Sequence, residues 1–100
     1  MEKNKPHYAL SSLKTVVAAK GIKAFTHAAK QGADAMEISQ ADAVGVVLGL
    51  DYPHFYKSMT THADHRLWQD VYHAPCPNGR WAYIKITLQD GAVVIQFKEL

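Results

Sequence analysis

The sequence predicts an α+β fold, with N-terminal helices packed on one face of a small, mainly antiparallel C-terminal sheet. Three observations carry that reading. Apolar residues recur at helical spacing early in the chain, at Leu10, Leu13, Val16 and Val17. From Trp68 onward the period falls to two, along 68–73 and 81–88. Asp90-Gly91 then joins the second of these runs to the β-rich segment 92–98. An Asp-Gly pair between such runs is the strongest short-range hairpin signal a sequence offers. Helices first and a strand meander last define the class.

Each element has a local reason. Gly21 stands where a first helix over 9–20 would stop. Thr26 can cap a short second helix ending near Gly32. Ser39-Gln40-Ala41-Asp42 has the form of a capping box, with Asp in place of the usual Glu, ahead of an apolar run to Gly49. Pro53 suits the first turn of another short helix, which would carry Phe55, Tyr56 and Met59.

A two-residue turn at Asp90-Gly91 fixes the hairpin register. Ile84 then faces Phe97 and Ile86 faces Ile95 on the apolar side. On the other side Tyr83 faces Lys98 and Lys85 faces Gln96, with opposed Cβ atoms about 4.5–5.5 Å apart. That polar side is either an ordinary solvated sheet face or an anion site. The run 68–73 has two parities. Trp68, Asp70 and Tyr72 face the core, which buries Asp70 and obliges it to find partners, or Gln69, Val71 and His73 do. The first choice sends Gln69 to the polar face.

One hundred residues, 48% hydrophobic and 20% charged, describe a single ordinary globular domain, 1–100. The apolar stretch 43–50 is far too short to span a bilayer, and MEKNKPHYAL lacks the apolar core of a secretory signal. A cytoplasmic protein with no membrane association is expected. Cys76, the sole cysteine, permits neither an internal disulfide nor a four-cysteine zinc site. The net charge of +2 is unevenly spread: residues 1–30 hold six lysines against Glu2, and residues 31–54 hold only acidic charges. Such a balance allows RNA binding without requiring it.

The stretch YKSMTTHADHRLWQDVY, from Tyr56 to Tyr72, concentrates the reactive side chains. His62 and His65, with His54, His73 and Cys76 nearby in sequence, match no standard zinc spacing, and no metal or other cofactor is expected. There is no GxSxG elbow beside Ser58, Thr60 or Thr61, and no phosphate-binding glycine loop. Cys76 lies between two prolines with nothing to lower its pKa. What remains is a set of Lys, Gln, Tyr and Arg on or beside a sheet. Those residues suit RNA-backbone cleavage, because the 2′-hydroxyl attacks its own 3′-phosphate and the protein need only orient it, stabilise charge and move protons. The identity of the general base is left open by these residues, a lysine of depressed pKa being one option. A binding module that leaves RNA or DNA intact, or a protein that only docks a partner, also fits these residues.

The block FYKSMTTHADHRLWQDVY, followed by AYIKIT and a terminal FKEL, resembles the MqsR (motility quorum-sensing regulator) toxin family. PHYALSSLK and the GL before DYPHFYKSM fit the same layout, so the resemblance spans essentially the whole chain, weakest over 24–46. It implies a RelE-like α+β fold and a ribosome-independent messenger-RNA endoribonuclease of a type II toxin–antitoxin pair, selective for GC-starting triplets such as GCU. It also implies a cognate zinc-binding antitoxin with a helix-turn-helix domain. The active-site lysine, glutamine and tyrosine of the family fall on Lys57, Gln69 and Tyr83, and its C-terminal lysine on Lys98. Met59 matches a methionine beside them, and His65 also matches, as a catalytic acid or an orienting residue. Arg66, Arg80 and Lys85 are expected to contact RNA phosphates or solvent. The family's histidine in the last turn is missing, since Leu88-Gln89-Asp90-Gly91 has none.

Overall fold

Asp90 and Gly91 both have positive φ, 51° and 76°, as a two-residue turn between twisted strands requires. A computed structural model describes residues 1–100. The turn joins β4 (Trp81–Gln89) to β5 (Ala92–Glu99), and all four predicted pairs form: Tyr83 with Lys98, Ile84 with Phe97, Lys85 with Gln96, Ile86 with Ile95. β3 (Trp68–Pro75) pairs antiparallel with β4. The α+β fold is as expected, but the sheet is larger than the sequence suggested. It has five strands in the order β1-β2-β3-β4-β5, all antiparallel.

The two added strands correct one expectation. Pro53 opens only a 3₁₀ turn, Tyr52–His54, and Phe55–Thr60 is strand β2 rather than helix. The Asp51 carboxylate accepts from the Tyr52 amide, and the Asp51 amide donates to His54 Nδ1, which closes the turn at once. Five of the six residues that follow pair with β3, and that non-local pairing outweighs the local helix signal. β1 (Glu2–Lys3) adds two residues to the outer edge of β2.

The helices form where expected. α1 (Leu10–Lys20) buries Leu10, Leu13 and Val17 and ends at Gly21, φ 56°. In α3 (Gln40–Leu48), Ser39 Oγ accepts from the Asp42 amide. In α2 (His27–Ala35), Thr26 Oγ1 accepts from the Ala29 amide. α2 runs past Gly32, which serves close packing rather than termination. A Cβ there would lie 2.0 Å from the Phe97 carbonyl oxygen, so the helix rests directly on the β5 backbone. With the Thr26 amide donating to the Ile95 carbonyl, this segment covers the edge that β5 would otherwise expose.

The core lies between the helices and one sheet face, with Tyr72, Ile84, Ile86, Ile95 and Phe97 from the strands. Asp70 is fully buried with them, which settles the parity of β3. Its carboxylate accepts from Ser58 Oγ at 2.6 Å and from the amides of His7 and Tyr8 at 2.9–3.0 Å. Trp68 is only partly buried. It lies under Lys3, whose Nζ is 4.1 Å from a ring centroid, and stacks on His7.

Two substitutions test this packing by urea unfolding. Gly32→Ala is expected to destabilise by about 3 kcal/mol, because the methyl group meets backbone that cannot yield. Asp70→Ala is expected to cost about 3 kcal/mol or more by stranding a hydroxyl and two amides. Losses under about 0.5 kcal/mol, the range of neutral surface changes, would contradict the packing described.

Candidate active site

The sheet face turned away from the core carries the candidate residues, and β2 reaches it through a bulge. Phe55 pairs with Tyr72 but Lys57 with Val71, so Tyr56 is an extra residue between them. Phe55 packs toward the core, edge-on to Tyr72. Tyr56 and Lys57 therefore both serve the outer face, which regular alternation would forbid. Tyr56 stacks on His73 with centroids 4.3 Å apart, and Lys57 Nζ lies 5.6 Å from the Tyr56 centroid.

His73 is directly opposite Tyr83, their rings 5.4 Å apart, and Tyr83 is opposite Lys98. Lys98 Nζ lies 5.3 Å from the Tyr83 centroid. The result is a row of three rings, Tyr56, His73 and Tyr83, with an ammonium at either end. Beside it Lys57, Val71, Lys85 and Gln96 form a second row across four strands. Val71 is completely buried although it faces away from the core, so the side chains around it close over an apolar floor. A freely solvated face would not bury it.

The four residues carried over as catalytic lie on one face, one from each of four strands. Tyr83 lies against His73, while Lys57 and Lys98 flank the two outer rings of the row. Gln69 pairs with Met59 and lies four residues along β3 from His73, about 13 Å by strand rise. That is more than one phosphate's reach. His65 and Arg66 sit in the loop at the Gln69 end, both exposed, with Arg66 Nε 3.1 Å from Asp64. Arg80 lies beyond the Tyr83 end, 3.9 Å from Glu99. Lys85 is half-buried between the two ends.

A cleft of ≈ 380 Å³ opens between the start of α2 and β4–β5, lined by Thr26, Ala29, Tyr83, Lys85, Gln96 and Lys98 among others. Two lysines and a phenol around it suit a polyanion. No three His, Cys, Asp or Glu side chains converge anywhere in the chain, so the histidines around His62 form no metal-ligand cluster. Cys76 is buried, and burial raises its thiol pKa.

Sequence reasoning missed two participants. Glu2 reaches across from β1 and accepts a hydrogen bond from Lys57 Nζ at 3.0 Å. That bond is the main cause of a raised Lys57 pKa, so Lys57 stays an ammonium and is unsuited to the base role open to a lysine of depressed pKa. Nothing in the sequence announces this contact. His73 was legible in principle, because it shares the parity of Gln69 on one strand.

Residues 5–99 match the family described as "Motility quorum-sensing regulator, toxin of MqsA". The chain belongs to the MqsR toxin family. It is similar over 99 residues, 39% identical and covering 99% of both chains, to the mRNA interferase toxin MqsR of Escherichia coli (strain K12). The family expected from the sequence is thus the family found, and the expected enzyme class is the one named for that relative. No helix of this MqsR-family chain is long and apolar enough to cross a membrane.

Glu2 neutralises the ammonium that an RNA phosphate would need. Glu2→Gln is expected to tighten binding of a 2′-O-methyl RNA by about twofold to fivefold, read by fluorescence anisotropy at low salt. Unchanged or weaker binding would mean that Lys57 does not meet the RNA.

Proposed function

We propose that this chain is the toxin of a type II toxin–antitoxin pair and cleaves messenger RNA without ribosomes or a metal ion. The 2′-hydroxyl attacks the adjacent phosphorus, leaving a 2′,3′-cyclic phosphate and a 5′-hydroxyl. The observation that carries this reading is that Lys57, Gln69, Tyr83 and Lys98 share one sheet face, with Lys57 and Lys98 at the two ends of a row of rings that includes Tyr83. Lys57 and Lys98 stabilise charge on the phosphoryl oxygens, and Tyr83 holds the phosphate. Gln69, with Met59 beside it, acts about 13 Å along the strand and so holds a neighbouring nucleotide rather than the same phosphate. Lys85 contacts backbone phosphates on the cleft side, while His65, Arg66 and Arg80 extend that contact at the two ends.

Selectivity for GC-starting triplets such as GCU belongs to this proposal through the family resemblance. So does the partner, a zinc-binding antitoxin with a helix-turn-helix domain. Cytoplasmic action follows from an mRNA substrate.

The test is purified protein, free of ribosomes and with EDTA present, mixed with a defined RNA holding several GC-starting triplets. Discrete cuts with 5′-hydroxyl ends are expected. Lys57→Ala should lower the rate about 10²–10³-fold and Tyr83→Phe about tenfold or more. RNA left intact but bound in a salt-dependent way would favour a non-catalytic binding module.

A further inference from the structure

The site described above contains groups that bind and stabilise, yet none that is suited to take a proton near neutrality. Lys57 is held as an ammonium by Glu2, and the turn at Asp90-Gly91 carries no histidine. Neutral imidazole is the side chain that accepts a proton readily in this pH range. One imidazole sits at the centre of the face. His73 Nε2 is screened from solvent and has no hydrogen-bond partner. A buried ring nitrogen left unpaired is costly and calls for an explanation.

We infer that His73 is the general base of the reaction, an assignment that rests on the endoribonuclease reading. The geometry favours it over its neighbours. His73 lies between Tyr56 and Tyr83, opposite the latter in register, with Lys57 and Lys98 at the outer ends of the ring row. A phosphate drawn to either ammonium lies beside the ring row whose middle member is the imidazole. The ring stacked on His73 is Tyr56, itself 55% exposed, so the His73 ring lies just beneath the solvent-facing layer of the face. The proton of the 2′-hydroxyl passes to His73 as the O2′–P bond forms. The P–O5′ bond breaks, and the departing 5′-oxygen takes a proton from solvent. The titratable and charged groups facing His73 are Tyr56 and Lys57 of β2, Tyr83 and Lys85 of β4, and Lys98 of β5. Glu2, the carboxylate that reaches this face from β1, is tied to the Lys57 ammonium, which leaves the unpaired imidazole as the better-placed base.

The experiment compares kcat/KM against pH for the unaltered chain, His73→Gln, His73→Phe and Lys57→Ala, all on one defined RNA. Binding of the 2′-O-methyl form of that RNA, which cannot react, is measured in parallel. Both His73 variants are expected to lose about 10²–10⁴-fold in rate and the acidic limb of the profile, while binding stays within about threefold. His73→Phe keeps a ring on Tyr56 and so guards against loss of folding, which a thermal melt checks. The assignment is overturned if either variant keeps the rate and the acidic limb. It is also overturned if His73→Phe alone restores the rate, since the ring would then be only a stacking surface, or if binding falls as far as the rate. If those results come with a rate lost in Lys57→Ala, only the role of His73 falls. If the unaltered chain cuts no RNA, the endoribonuclease reading falls and takes this assignment with it.

Discussion

A buried carboxylate organises this molecule. Asp70 lies inside the core, and a charge there is tolerable only when hydrogen bonds replace its water. The Ser58 hydroxyl and the amides of His7 and Tyr8 supply them. Through Ser58 the carboxylate locks β2 to β3. Through the two amides it draws the N-terminal segment against the sheet and delivers β1 to its edge. Because Asp70 points inward, Gln69, Val71 and His73 must point outward. The candidate active face is therefore defined by a group on the opposite side of the sheet.

On that face the protein builds attraction without building a cage. The charges are long lysine side chains reaching toward aromatic rings, above a floor made of Val71. Each ammonium near a ring gains from its π-face, and Lys57 is further held by Glu2, which a phosphate would have to displace. The arrangement suits a substrate that brings its own nucleophile. Rigid placement matters most for the phosphorus and the 2′-oxygen, and strands hold side chains more rigidly than loops do.

The legible parts of the fold were those fixed by short-range chemistry. Asp90-Gly91 admits one compact turn, so the β4–β5 register followed residue by residue, and Thr26 and Ser39 announced their helices by capping them. β2 was not legible, because Pro53 gives a true start signal for a single turn and the strand beyond it depends on a partner far along the chain. The bulge at Tyr56 has no sequence signature of its own. The parity of β3 was undecided locally, since its resolution required amides some sixty residues away. Lys57, Gln69, Tyr83 and Lys98 came from the family resemblance, with the hairpin register independently pairing two of them. His73 escaped because the resemblance assigned nothing to it.

The place of β1 in the chain has a consequence for motion. Every other strand pairs with a neighbour reached by a short connection, but β1 meets β2 only after all three helices have intervened. Closing so long a loop delays a contact during folding, and two residues of ladder return little for it. Elements of this kind open at low free energy, well before the sheet as a whole unfolds. The carboxylate resting on Lys57 is thus carried by the least anchored strand of the molecule. A resting protein will lift it many times for each time the core comes apart.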